Sequence, residues 1–173
     1  RDTKGDITHR DYKGYGGNHY INNSGRNDIV LSKVAVDKEN VYFYVQTANP
    51  ITSSTDPNWM LLLIDADNNY STGWYGYDYL INQSVVDNTS TQIKWYDNTK
   101  NEWVKKNVLA YKAKGNCLEL AVSRKDLGLL EDTFVFDFKW ADNPKELKDP
   151  ISLCTDGDTA PNRRFNYRCI WKK

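Results

Sequence analysis

The stretch Thr133-Phe134-Val135-Phe136-Asp137-Phe138-Lys139-Trp140-Ala141 decides the class of this fold. In an extended chain Phe134, Phe136, Phe138 and Trp140 stand on one side, and Val135, Asp137, Lys139 and Ala141 on the other. Period two of this kind predicts a strand with one face on a core. Helical spacing would scatter the four rings around the cylinder. Outward from this segment, runs of Val, Ile, Tyr, Phe and Trp recur between Gly, Asn, Asp and Pro clusters. They predict strands near 29–36, 40–48, 59–65, 77–83, 91–97, 101–112, 116–122 and 163–170. Val30, Val34 and Val36 alternate as the rings do. The apolar run Trp59-Met60-Leu61-Leu62-Leu63-Ile64 has the length of one buried strand and is too short to cross a bilayer.

Helix is scarce. Only Ser123, as a cap on Arg124-Lys125-Asp126-Leu127-Gly128, predicts a short one. Many short strands and at most one short helix predict an all-β fold, a two-sheet antiparallel β-sandwich with a jelly-roll-like form. The strand pattern covers 28–173 as one domain. Residues 1–27, rich in Gly, Asn and Tyr without period two, are expected to form an arm packed on the sandwich or flanking it.

Composition limits function. The chain of 173 residues is long enough for a core without staples. Lys and Arg total 23, as do Asp and Glu, so there is no basic footprint for nucleic acid and no polybasic patch for a membrane surface. The chain starts at Arg1, which suggests a processed or excised segment. Cys117, Cys154 and Cys169 form no metal-binding pair motif, while Cys154 and Cys169 flank a turn-rich segment and could bridge in an oxidising compartment. His9 and His19 both lie in the arm, where solvated loop residues are the simpler reading than a metal pair. Six Trp, twelve Tyr and five Phe stand amid abundant Asn and Asp; most of these rings read as core, and a surplus of Trp and Tyr beside Asn and Asp is also what a sugar-binding surface needs. Sugars ask for that combination: rings for the CH-rich face of a pyranose, polar side chains for its rim.

Two constellations stand out between Asp65 and Asn82. Asp65, Asp67, Asn69 and Ser71 alternate after the apolar strand, offering hard oxygen ligands to calcium. Tyr70 and the lack of a closing Glu depart from an EF-hand, Asp78 is the nearby carboxylate, and an Asx-rich turn is the alternative. Behind them come Trp74, Tyr75, Tyr77 and Tyr79, with Gly73 before the first and Gly76 between the second and third. Trp74 and Tyr75 are candidates to stack on sugar, with Asp78, Asn82 and Arg163 as hydrogen-bonding partners. Trp95 and Trp103 flank the turn Asp97-Asn98-Thr99-Lys100; they are further stacking candidates or a cross-strand pair.

The segments VYFYVQT (41–47), LLLIDADNNYSTGWYGYDYLIN (61–82), FDFKWADN (136–143) and DGDTAPNRRFNYR (156–168), in this order, resemble the DOMON-like sandwiches related to family 9 carbohydrate-binding modules. The resemblance covers roughly the last 145 residues. It implies a two-sheet sandwich that binds a polysaccharide or oligosaccharide outside the cytoplasm (secreted, periplasmic or cell-surface), sometimes with structural Ca2+, and a catalytic domain of the same parent protein as partner. By position it carries over Asp65, Asp67 and Trp74. No haem is expected, since Met60 reads as core. No catalytic residues are assigned: no Ser-His-Asp order appears, and short strands leave little room for the cleft of a glycosidase. The alternative is a structural accessory domain of a larger secreted glycoside-active protein, with no ligand of its own.

Overall fold

The computed structural model describes residues 1–7, 10–17 and 19–173, so His9 lies outside the described residues. In chain order the elements are β1 (Arg10–Lys13), a 3-10 turn (Tyr15–Gly17), β2 (His19–Asn22), β3 (Ile29–Val36), β4 (Asn40–Thr47), β5 (Leu61–Asp65), β6 (Tyr79–Val85), β7 (Ser90–Asp97), β8 (Glu102–Lys114), β9 (Cys117–Ser123), β10 (Thr133–Asp142), α1 (Ser152–Thr155), β11 (Asp158–Ala160) and β12 (Tyr167–Lys172). Every strand pair is antiparallel, and the fold is all-β. The larger sheet runs β11-β10-β5-β6-β7-β8, with β12 also on β10; the smaller runs β8-β9-β4-β3.

Strand β8 belongs to both sheets. Glu102 to Ala110 pair with β7, and Tyr111 to Lys114 pair with β9. One long strand thereby folds one layer over the other. At the opposite side Ile29 of β3 donates its N–H to Asp158 Oδ2 of β11 at 2.7 Å, which brings the sandwich close to a closed barrel. Between the layers Phe43 of β4 meets Phe136 and Phe138 of β10 edge-on, with centroids 5.9 and 5.2 Å apart. Such pairs add about 0.5–1.5 kcal/mol each beyond the area they bury. Phe134, Phe136, Phe138 and Trp140 all face this core.

The larger sheet is covered on its outer face too, which strand periodicity alone did not foretell. Leu62 and Ile64 of β5 enter the main core, while Leu61 and Leu63 enter a second cluster with Trp74, Tyr77, Leu80, Ala141 and Leu153. The 66–78 loop and the segment carrying α1 supply that cover. Lys139, on the non-ring side of β10, is only 1% exposed and donates to the Pro161 and Phe165 carbonyls.

The helix expected after Ser123 is absent. Ser123 ends β9, and residues 124–128 form turns. Arg124 explains the break: its guanidinium turns back to the Leu129, Glu131 and Lys38 carbonyls, and Gly128 takes φ +71°. The only α-helix among the described residues is α1. The N-terminal residues form a β1-β2 hairpin and reach the sandwich through paired groups. Gly5 N–H donates to Asp28, Asn22 Nδ2 to the Gly157 carbonyl, and Arg26 makes a two-pronged ion pair to Asp142 at 2.8 and 2.9 Å.

Cys117, Cys154 and Cys169 form no disulfide. Cys169 of β12 packs against the main core, whereas Cys154 lies in α1 beside Leu153 of the outer cluster. The larger sheet stands between them, and no disulfide joins them.

Candidate functional site

The 66–78 loop closes the β5–β6 hairpin. Gly73 (φ +66°) and Gly76 (φ +96°) let it fold tightly; a Cβ on Gly73 would meet the Tyr77 carbonyl oxygen at 2.3 Å. This compact turn drives Trp74 into the outer face of the larger sheet. There it is 5% exposed, against Tyr77 at 6.3 Å, Trp103 at 6.3 Å and Tyr75 at 5.5 Å. Trp74 is core, and its faces are covered by protein. Tyr75 remains on the surface, 65% exposed.

The remaining predicted sugar contacts scatter. Asn82 is buried at an irregularity of β6, where its Nδ2 donates to the Met60 carbonyl at 2.7 Å. Trp95 pairs with Val104, and Tyr96 with Trp103. Adjacent register positions point to opposite faces, so Trp95 and Trp103 do not pack on each other. Trp95 is 39% exposed, while Trp103 joins Tyr96 and Trp74 with its Nε1 buried and without a hydrogen-bond acceptor. Arg163 is exposed at φ +64° in the loop before β12. The tail does lie beside the first loop: Tyr77 Oη donates to Asn166 Oδ1 at 2.7 Å, and Arg168 to Asn68 Oδ1 at 3.1 Å.

Of the expected metal ligands, Asp65 and Asp67 come together with Asp78. Carboxylate oxygens of Asp65, Asp67 and Asp78 lie within 4.8 Å of one another. Asn69 accepts the Ser71 N–H at 3.0 Å in an Asx turn. Burial, then the charges of Asp67 and Asp65, pushes the Asp78 carboxyl up to about 6. Burial also raises Asp65. A second acidic group, Asp6, Asp28 and Asp158, sits where the N-terminal segment meets β3 and β11. His19 of the arm contacts Asp11 on the surface at 2.5 Å.

The feature missed in the sequence lies on the outer face of the smaller sheet. In β4, Val41, Phe43 and Val45 enter the core, so Tyr42, Tyr44 and Gln46 point outward. Across four strands the register forms one row of Lys33, Tyr44, Glu119 and Lys112. The neighbouring row sets Tyr42 between Ala35 and Ala121, and Ala110 lines the same surface. Small side chains leave the flanks of a ring open; Tyr42 is 40% exposed. Together these residues line an open depression of about 800 Å³.

Both rings are held at their hydroxyl ends. Tyr42 Oη donates to Asp37 Oδ2 at 2.8 Å, and Tyr44 Oη lies 3.0 Å from Cys117 Sγ. That contact with the thiol, followed by burial, pushes the Tyr44 phenol up to about 12. Lys33 Nζ sits 5.5 Å from the Tyr44 ring centroid. A platform whose rings are already fixed loses little rotamer freedom when a ligand lands. The signal was present in Asn40–Thr47 as strict alternation, but the choice of a solvent face requires knowing that nothing among the described residues covers this sheet.

Compared with protein-family models, with curated proteins and with solved structures, the chain gives no match. No helix among the described residues is long and apolar enough to cross a membrane.

Proposed function

We propose that this domain is a non-catalytic carbohydrate-binding module of an extracytoplasmic protein, with its glycan on the outer face of the smaller sheet. The observation that carries the reading is the pair Tyr42 and Tyr44, clamped by Asp37 and Cys117 in a depression of about 800 Å³. Tyrosine rings give the CH face of a pyranose an apolar surface; Lys33, Lys112 and Glu119 around them bond to hydroxyls. The open, sheet-borne shape suits the interior of a chain more than a buried single sugar. The resemblance to DOMON-like sandwiches supports the same function, while the burial of Trp74 and Asn82 directs the site away from the 66–78 loop.

The test is an affinity-gel screen of the folded chain against a panel of polysaccharides, with Tyr42→Ala and Tyr44→Ala beside the parent. Retardation lost in both variants supports the site. Retardation kept in both but lost in Tyr75→Ala or Trp95→Ala would return the site to the other sheet. No retardation across the panel favours the accessory-domain reading.

A further inference from the structure

The outer face of the smaller sheet carries more positive charge than its own carboxylates answer. Beside the row of Lys33, Tyr44, Glu119 and Lys112 runs a second, Leu31, Gln46, Cys117 and Lys114. Residues two apart in a strand share a face, so Lys112 and Lys114 stand on this surface together, about 7 Å apart along β8. The three lysines are exposed, and Glu119 is the one carboxylate in the two rows. The chain as a whole is neutral, with 23 basic and 23 acidic side chains, so the excess is local. Lys33, Lys112 and Lys114 make no ion pair among the described residues. Asp37, at the edge of the platform, already accepts from Tyr42 Oη and from the Glu39 and Asn40 N–H groups.

Placement matters as much as count. Neighbouring strands lie about 4.8 Å apart, so Lys33 and Lys112 close their row at its two ends, about 14 Å from each other. Lys33 Nζ is 5.5 Å from the Tyr44 centroid, so an acid group on a sugar stacked there meets an ammonium beside the ring. Lys112 and Lys114 also line a smaller hollow of about 280 Å³ with Cys117 and Glu119, and it shares Lys112 and Glu119 with the main depression. A neutral sugar leaves these charges unanswered; a negative one complements them. Resting on the reading of Tyr42 and Tyr44 as a glycan platform, we propose that its ligand is an acidic polysaccharide, a chain containing uronic acids whose carboxylates meet Lys33, Lys112 and Lys114. Glu119, between Tyr44 and Lys112, accepts from sugar hydroxyls and repels a densely charged strand. The ligand therefore carries spaced carboxylates among neutral hydroxyls, and a heavily sulfated chain is disfavoured.

Titration calorimetry of the full chain tests it with glucuronoxylan, hyaluronan and partly esterified pectin, each beside its carboxyl-reduced form, which keeps the backbone and removes the charge. The acid form of at least one should bind roughly tenfold more tightly than its reduced form at low salt, the product of three exposed charge contacts of about twofold each. That ratio should shrink at high salt, where such contacts are screened. Lys112→Gln with Lys114→Gln should narrow the ratio about fourfold on the same count. Glu119→Gln should widen it, a gain that misfolding does not mimic. Equal binding of acid and reduced forms, both lost in Tyr42→Ala, overturns the charge preference and leaves the glycan platform standing. Binding of neither form in any pair overturns this inference, and if the wider panel of neutral chains is also silent the platform falls with it. Dextran sulfate or a single-stranded oligonucleotide bound as tightly as the acid form, with the same loss in the lysine variant, would mean a general polyanion surface and also overturns it. So does an acid preference that the lysine and Glu119 variants leave unchanged.

Discussion

Tyr42 and Tyr44 stand two residues apart on β4, with their hydroxyls fixed by different partners, Asp37 at 2.8 Å and Cys117 at 3.0 Å. The spacing keeps both rings on one face, and the two anchors keep them from folding flat against the sheet. If this pair is the glycan platform, Tyr42→Ala should weaken binding by about 1–2 kcal/mol, judged from the apolar area a ring covers. Its Tm should barely move, because the ring is already half open to water. Titration calorimetry with the polysaccharide found in the screen, paired with a melt, checks both halves.

Trp74→Ala is expected to act on stability. The side chain is 5% exposed and bridges Tyr77 and Trp103, so its loss leaves a cavity in the outer cluster. Substitutions of this kind cost about 3–5 kcal/mol. Urea denaturation measures the loss, and glycan affinity of the folded fraction should stay at the parent value.

Gly73→Ala should open the 66–78 loop. The new Cβ meets the Tyr77 carbonyl at 2.3 Å, and φ +66° is unfavourable for alanine. A cost of about 2 kcal/mol or more follows from the strain and the displaced contact. Near-ultraviolet circular dichroism should show a reduced aromatic signal, since Trp74 and Tyr77 lose their fixed packing.

Stability should fall as pH rises through the range set by Asp158. Burial pushes its carboxyl up to about 8 in the folded chain, against about 4 unfolded. The folded state therefore binds a proton that the unfolded state releases. The stabilising contribution is complete below about pH 4 and lost as pH climbs through about 8. Melts of the parent and of Asp158→Asn between pH 5 and 8, about the span between those two values, should show the Tm difference shifting steadily in favour of the variant. A constant difference would mean that Asp158 stays ionised in the folded chain.

The all-β class, the strands other than β1, β2 and β11, and the inward rings of β10 were legible because each rests on local chemistry. Phe134, Phe136, Phe138 and Trp140 repeat with the period of a strand, and that period survives whatever packs on it. The acidic loop was legible for the same reason, since Asp65 and Asp67 are near neighbours in the chain. Asp78 joins the cluster through the pairing of β5 with β6.

What the sequence by itself determined was which residues alternate, and hence that two layers of strands enclose a core. Which outer face stays open was decided by the tertiary structure alone. The 66–78 loop and the α1 segment bury Trp74, Tyr77 and Leu153 on the larger sheet, making core of rings that looked fit for a ligand. Among the described residues the outer face of the smaller sheet has no such cover, and Tyr42 is left to solvent. Aromatic side chains are identical in the sequence whether they fill a core or meet a sugar. The difference is the presence of a second layer, and that depends on where distant segments of the chain come to rest.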